Sequence, residues 1–298
     1  MSGDFPSPSH LSPASFSVHN KGEVHMKYEF VGEDVKVVDN VEVKRIRALK
    51  DVRPGVNKGD LGGYIEEGNL SQIGSCWVAE DAVVMNTAKV CGDALITGMA
   101  CVKNSAVVID NALIKDRSTV MGGAYICDKA VIGDMAMVTD KAKVYGEAKI
   151  KGAAEIKEMA EVRGKAKIGL AGHLTDFTQI YGNSLVEDEA EVCGNSQIFD
   201  EARVYGDSVI MNRAEVGGTG DVSGRNKCLC PGDEALKGVD LTAYETVGGV
   251  IQIVQGNMIL TEELFINQYE ILNDYSDDED ERKEYHREIV RSIKQKFK

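Results

Sequence analysis

From Cys76 to Val222 the chain repeats small and aliphatic residues on a strict six-residue metre. Stepping by six from Cys76 to Gly220 gives 25 positions: 17 Ala, four Ser, and Cys76, Gly172, Thr178 and Gly220. Two residues after each of them, from Val78 to Val222, stands Val, Ile or Leu in all 25 cases. The slot four after the small residue, from Glu80 to Gly218, holds Gly, Asn or Asp in 21 of 24 cases; Glu80, Glu158 and Leu170 are the exceptions.

Residues two apart on an extended chain point the same way, so the small and the aliphatic slots both face inward. Gly, Asn and Asp tolerate positive φ, so the third slot is where the backbone turns. Six residues therefore make one short strand and one corner. A helix does not fit, because spacings of two and six scatter apolar residues over several sides of it. Short strands with regular corners must stack on themselves, each rung hydrogen-bonded to the next, as a β-solenoid.

With these slots the chain resembles the hexapeptide-repeat, left-handed parallel β-helix proteins, in which three hexads make one triangular coil. The resemblance implies a mainly β fold of about eight coils over residues 76–224, roughly 40 Å long at the usual strand spacing. The segment "KGDLGGYIEEGNLSQIGSCWV", residues 58–78, narrows it further. Its Gly59-Asp60, Gly62-Gly63, Asn69-Leu70-Ser71 and Cys76-Trp77 resemble a phage and enterobacterial group of hexapeptide-repeat proteins, some provisionally labelled acetyltransferase-like. The resemblance covers roughly residues 40–224.

A solenoid needs covered ends. Residues 1–25 are rich in Ser and Pro and read as a disordered tail. Residues 26–75 alternate and read as a β cap of two or three strands, with turns at Gly32-Glu33-Asp34 and Asp39-Asn40. Residues 225–298 read as an α+β cap: a hairpin turning at Gly256-Asn257, a helix capped by Thr261 and running to about Leu272, and a last helix with a Ser276/Glu279 capping box. That last helix starts acidic and ends in Lys294, Lys296 and Lys298, which suits the helix dipole and a solvated capping role.

Composition narrows the function classes. Aromatics make up 6% of the chain and it holds 31 glycines, so its core must be built from small residues in regular order. A formal net charge of −14 argues against binding nucleic acid or an anionic membrane. No apolar run long enough to span a bilayer and no secretory leader pattern occur, so neither a membrane span nor export is expected. Seven scattered cysteines, three of them in one slot (Cys91, Cys127, Cys193), read as filler in a reducing cytoplasm, the host's if the protein is phage-encoded.

The resemblance brings acyl transfer with it, since many proteins of this class are trimers that use acyl-CoA, such as acetyl-CoA, between subunits. That chemistry needs a base, usually histidine. His173 is the one histidine of the coils and points outward at the irregular stretch "IGLAGHLTD", residues 168–176, beside Leu170 and Gly172. It is the candidate catalytic residue, set against its reading as a surface histidine beside a packing adjustment. No loop interrupts the coils, unlike those enzymes. Cys228-Leu229-Cys230 lacks zinc spacing and a second ligand pair, so no metal is expected. Residues 217–224 ("GGTGDVSG") read as the unwinding last coil, not a phosphate loop.

The outward residues favour association. On a coil of three hexads, Cys91, Ile109, Cys127, Tyr145, Arg163, Tyr181 and Phe199 fall in one column, beside Val107, Tyr125, Gln179 and Gln197. The other two faces are also apolar early, with Val83, Met85, Leu95, Leu113, Met121, Val131 and Met137, and become charged later. Such columns need cover, from other copies of the chain or from its folded-back ends. The expectation is therefore a non-catalytic scaffold or binding protein that self-associates, a homotrimer by the resemblance, needing no cofactor. The alternatives are an acyltransferase with His173 as base, and a nucleotide or sugar site in a groove lined by Tyr125, Tyr145, Arg163, Tyr181 and Phe199.

Overall fold

The computed structural model describes residues 26–224, 228–236, 240–246, 249–255, 258–267 and 279–298. The expected tail at 1–25, the Gly256-Asn257 turn, the helix beyond Asn267 and the Ser276 cap lie outside the described residues.

The repeat folds as a parallel β-solenoid of about nine turns with three flat faces. Face I runs from Val83–Val84 to Val209–Ile210, face II from Trp77–Val78 to Asp221–Ser223, and face III from Lys89–Val90 to Glu215–Val216. Successive strands of a face are separated by one full coil of three hexads and pair in parallel, as Lys149 with Lys167 and Ile150 with Ile168. Lys149 N donates to Ala166 O at 3.0 Å and Lys151 N to Ile168 O at 2.9 Å, so each rung satisfies the next.

Both inward slots are fully buried: Ala142, Val144, Ala148 and Ile150 are each 0% exposed. Where Ser takes the small slot, its hydroxyl is satisfied locally. Ser118, Ser184, Ser196 and Ser208 donate to the carbonyl three residues back, at 2.6–2.8 Å. Thr178 occupies the same slot, but its buried Oγ1 has no hydrogen-bond partner.

Every corner slot from Glu80 to Gly218 has positive φ, including the three that depart from Gly, Asn or Asp. The acidic corners add a bond that the repeat count did not reveal. A carboxylate at one corner accepts the backbone N–H of the corner one coil on, as Asp134 Oδ2 from Gly152 N and Asp188 Oδ2 from Gly206 N. Glu80 and Glu158 reach the same partners with a longer side chain. Leu170, at φ 49° and 57% exposed, has neither a glycine's freedom nor a polar side chain.

The turn count exceeds the expected eight because the cap is built into the rod. Strand β1 (Tyr28–Val38) pairs antiparallel with β2 (Val41–Ala48), β2 pairs with β3 (Leu61–Ile65), and β3 continues face I in parallel with Val83–Val84. Asp39 and Asn40 make the expected turn with positive φ, whereas Gly32-Glu33-Asp34 forms a register shift within β1. The lumen is stoppered by fully buried Lys27, whose Nζ donates to Cys76 O at 2.8 Å, beside Trp77. Burial depresses the Lys27 amine and lifts the nearby Tyr28 phenol to about 12.

Residues 217–224 do not unwind: Arg203–Tyr205 pairs with Asp221–Ser223 as a complete rung. Beyond it, Cys228–Leu229, Thr242–Glu245, Ile251–Gln255 and Met258–Thr261 form a four-stranded antiparallel sheet, with Gln255 opposite Met258. Thr261 Oγ1 accepts Leu264 N at 3.3 Å and caps helix α1 (Glu262–Asn267). Helix α2 (Glu279–Lys296) buries Ile289, Val290 and Ile293 against Phe265 and Leu236. Its basic end pairs back onto the cap, Lys294 with Glu262 at 2.5 Å. Neither helix is long and apolar enough to cross a membrane.

Candidate functional site

Two outward surfaces carry the chemistry singled out in the sequence. On face III the predicted column forms. The Arg163 guanidinium lies 4.5 Å from the Tyr181 ring centre, and Tyr181 stacks on Phe199 at 5.6 Å and 14°. Tyr145 donates its hydroxyl to Glu161, whose carboxylate also lies 3.5 Å from Arg163 Nε. Tyr181 donates to Gln197 Oε1 at 3.1 Å. Tyr181 and Phe199 thus brace one another along the rod beneath the Arg163 guanidinium, while Tyr145 is tied through its hydroxyl to Glu161.

Tyr125 stands apart from that chain of contacts, half-buried between Val107 and Lys143 on neighbouring strands. Burial and the carboxylates of Asp110 and Asp128 raise its phenol to about 12. The same causes push the Cys127 thiol to about 12, so it stays protonated at neutral pH. Asp110, Cys127 and Asp128 bring their ligand atoms within 4.8 Å of one another, a cluster that the sequence reading missed because it spans two coils. Asp110 Oδ2 there accepts Asp128 N at 3.3 Å, the corner bond seen elsewhere.

On face I, His173 is half-exposed in the strand that follows the Leu170 corner. Its Nδ1 lies 3.4 Å from Glu155 Oε2, the residue one coil earlier. Glu155 also pairs with Lys157, which, with His173, holds its carboxyl below the usual range. Glu155 stands one coil of three hexads before His173, so the same count that placed the outward column sets it alongside, a pairing that the sequence reading did not draw. A shallow groove of about 690 Å³ follows the corner between faces II and I, lined by Met135, Gly152, Ala153, Leu170, Ala171 and neighbouring acids. The irregular stretch around Leu170 thus borders both a groove and a histidine–carboxylate pair.

Cover is partial. The β1–β2 hairpin packs on face I and buries Val83 to 5% and Met85 to 1% exposure, together with Val43. Val107, Ile109 and Tyr125 on face III stay half-exposed. Cys228, in the first strand of the C-terminal sheet, and Cys230 just after it are both buried, with their Sγ atoms 4.0 Å apart.

Compared with known proteins, the chain matches no family model and no curated relative. The hexapeptide-repeat likeness therefore stands on the slots and the coil geometry, and the comparisons give no support to the phage and acetyltransferase-like association.

Proposed function

We propose that this protein is a non-catalytic β-solenoid scaffold that binds copies of itself through the outward columns of its faces. The observation that carries this reading is the contrast between faces I and III. On face I the protein's own hairpin covers the outward Val83 and Met85; on face III the outward Val107, Ile109 and Tyr125 remain half-exposed. A flat sheet surface with exposed apolar side chains of this kind is what a second copy would cover.

Sedimentation velocity over a concentration series tests it. The expected result is a particle heavier than the 32.3 kDa chain that reverts to chain mass in Tyr181→Lys. A single chain at every concentration would overturn it. The family resemblance implies three chains, whereas the charges of face III favour two.

The second reading is acyl transfer, favoured by the contact between Glu155 and His173. A carboxylate at Nδ1 leaves Nε2 toward solvent as a base for an acceptor hydroxyl or amine. Its test is acetyl transfer lost in His173→Ala together with a melting temperature raised by acetyl-CoA.

A further inference from the structure

Face III has eight strands, and its charged residues are distributed unevenly along them. The first outward column reads Lys89, Val107, Tyr125, Lys143, Glu161, Gln179, Gln197, Glu215 from one end to the other. Both lysines lie in the first half and both glutamates in the second. The other column reads Cys91, Ile109, Cys127, Tyr145, Arg163, Tyr181, Phe199, Gly217.

A two-fold axis lying in the plane of this face, along the strand direction, reverses the order of the strands and keeps each column on its own side. Placed midway between the strands of Lys143 and Glu161, it sets the first strand on the eighth and the fourth on the fifth. Lys143 then meets Glu161 of the second copy, and Lys89 meets Glu215. In the other column Ile109 and Cys91 both meet the Phe199 ring, which lies over Gly217. Every charge of the first column finds its opposite, and the largest apolar side chain faces an aliphatic one.

We infer that face III is the surface of an antiparallel homodimer in this register; the inference rests on the self-association reading and names its partner and geometry. Three further observations favour it. Lys143 is exposed and makes no ion pair within the chain among the described residues, although Glu161 is its neighbour on the next strand; the Glu161 carboxylate is engaged by Arg163 and Tyr145 instead. Glu215 is half-buried with Asp240, another acid, nearby, so its carboxyl is held above the usual range, and no cation pairs with it among the described residues. The parallel arrangement of the same two faces, which swaps the columns, pairs Glu161 with Arg163 but leaves Lys89, Lys143 and Glu215 unmatched. The face measures roughly 34 by 17 Å, or about 600 Å² per copy, at the lower limit of specific interfaces.

Charge exchange tests the register in the full-length protein. Wild type is expected to sediment as a particle of two 32.3 kDa chains. Lys143→Glu sets a second carboxylate beside Glu161 on the next strand of its own chain, so it should lower the melting temperature slightly, whereas the neutral Lys143→Gln should leave the melting curve unchanged. Lys143→Glu should raise the dimer dissociation constant about tenfold or more, and Lys143→Gln by less, because each contact occurs twice across the axis. Mixing Lys143→Glu with Glu161→Lys should give a mixed dimer, because the pairs across the axis are then opposite in charge while the like-charged neighbours within each chain remain. The double variant Lys143→Glu/Glu161→Lys should dimerise as well. A two-chain particle unaffected by Lys143→Glu, or a three-chain particle, would overturn the register while leaving self-association standing. Wild type running as one chain at all concentrations would overturn both.

Discussion

The Phe199 ring lies directly over the bare Cα of Gly217, the residue one coil further on. A β-carbon at position 217 would fall inside the van der Waals surface of that ring. Phe199 also stacks on Tyr181, which carries Arg163, so Gly217 supports the end of a column three coils deep.

Gly217→Ala should therefore push Phe199 out of the stack. The expected cost is about 1–3 kcal/mol, the usual penalty for forcing extra volume into a packed site. Urea unfolding would show the lower midpoint, and the near-ultraviolet aromatic signal should change with it. Phe199→Leu in the same background should recover part of the loss.

At position 170 the reverse is expected. Leu170 has φ 49° and is 57% exposed, so replacing it loses little burial. A left-handed conformation costs an ordinary L-residue about 1–2 kcal/mol, part of which glycine returns as unfolded-state entropy. Leu170→Gly should stabilise the protein by about 0.5–1 kcal/mol in urea unfolding, while Leu170→Val, branched at Cβ, should destabilise it. A fall in Leu170→Gly would mean that the side chain makes a contact that outweighs the strain.

The corner carboxylates make a third test. Asp134 has φ 56° and its Oδ2 accepts Gly152 N at 2.9 Å. Asp134→Asn keeps both the left-handed tolerance and an acceptor and should be close to neutral. Asp134→Ala loses both and should cost about 1–3 kcal/mol in thermal or urea unfolding.

Alkaline pH should destabilise the rod. Folding raises Cys127 from 9.0 to about 12, and Tyr28 and Tyr125 from 10.0 to about 12. A group raised on folding contributes stability that is complete below its unfolded value and is lost as pH climbs toward the folded value. Unfolding should therefore become easier between about pH 9 and 12. Lys27, whose amine is depressed, acts the other way, because its charging penalty fades as pH rises toward 10.5. Cys127→Ala should flatten the alkaline slope of the melting temperature, and Lys27→Met should steepen it.

The rod was legible in the linear sequence because its physics is local. Two inward slots and one left-handed corner every six residues leave one way to bury Ala and Ile together, and the stacking of every third hexad follows from it. Even the outward column from Tyr145 to Phe199 could be placed by counting. Distances and side-chain contacts could not. Glu155 and His173, Asp110 and Cys127, and Lys27 and Cys76 meet only when the chain has gone round or folded back. The β1–β2 hairpin that covers Val83 and Met85, and the strand β3 that extends the solenoid in front of Val83–Val84, likewise depend on where a non-repeating segment lands. The sequence by itself determined the repeating rung, since each hexad satisfies its own packing and turning. The coil period also sets Glu155 beside His173, but the tertiary structure alone decided which faces stay open and how side chains turn to touch, because rotamers and the landing place of the non-repeating ends are not fixed by the repeat.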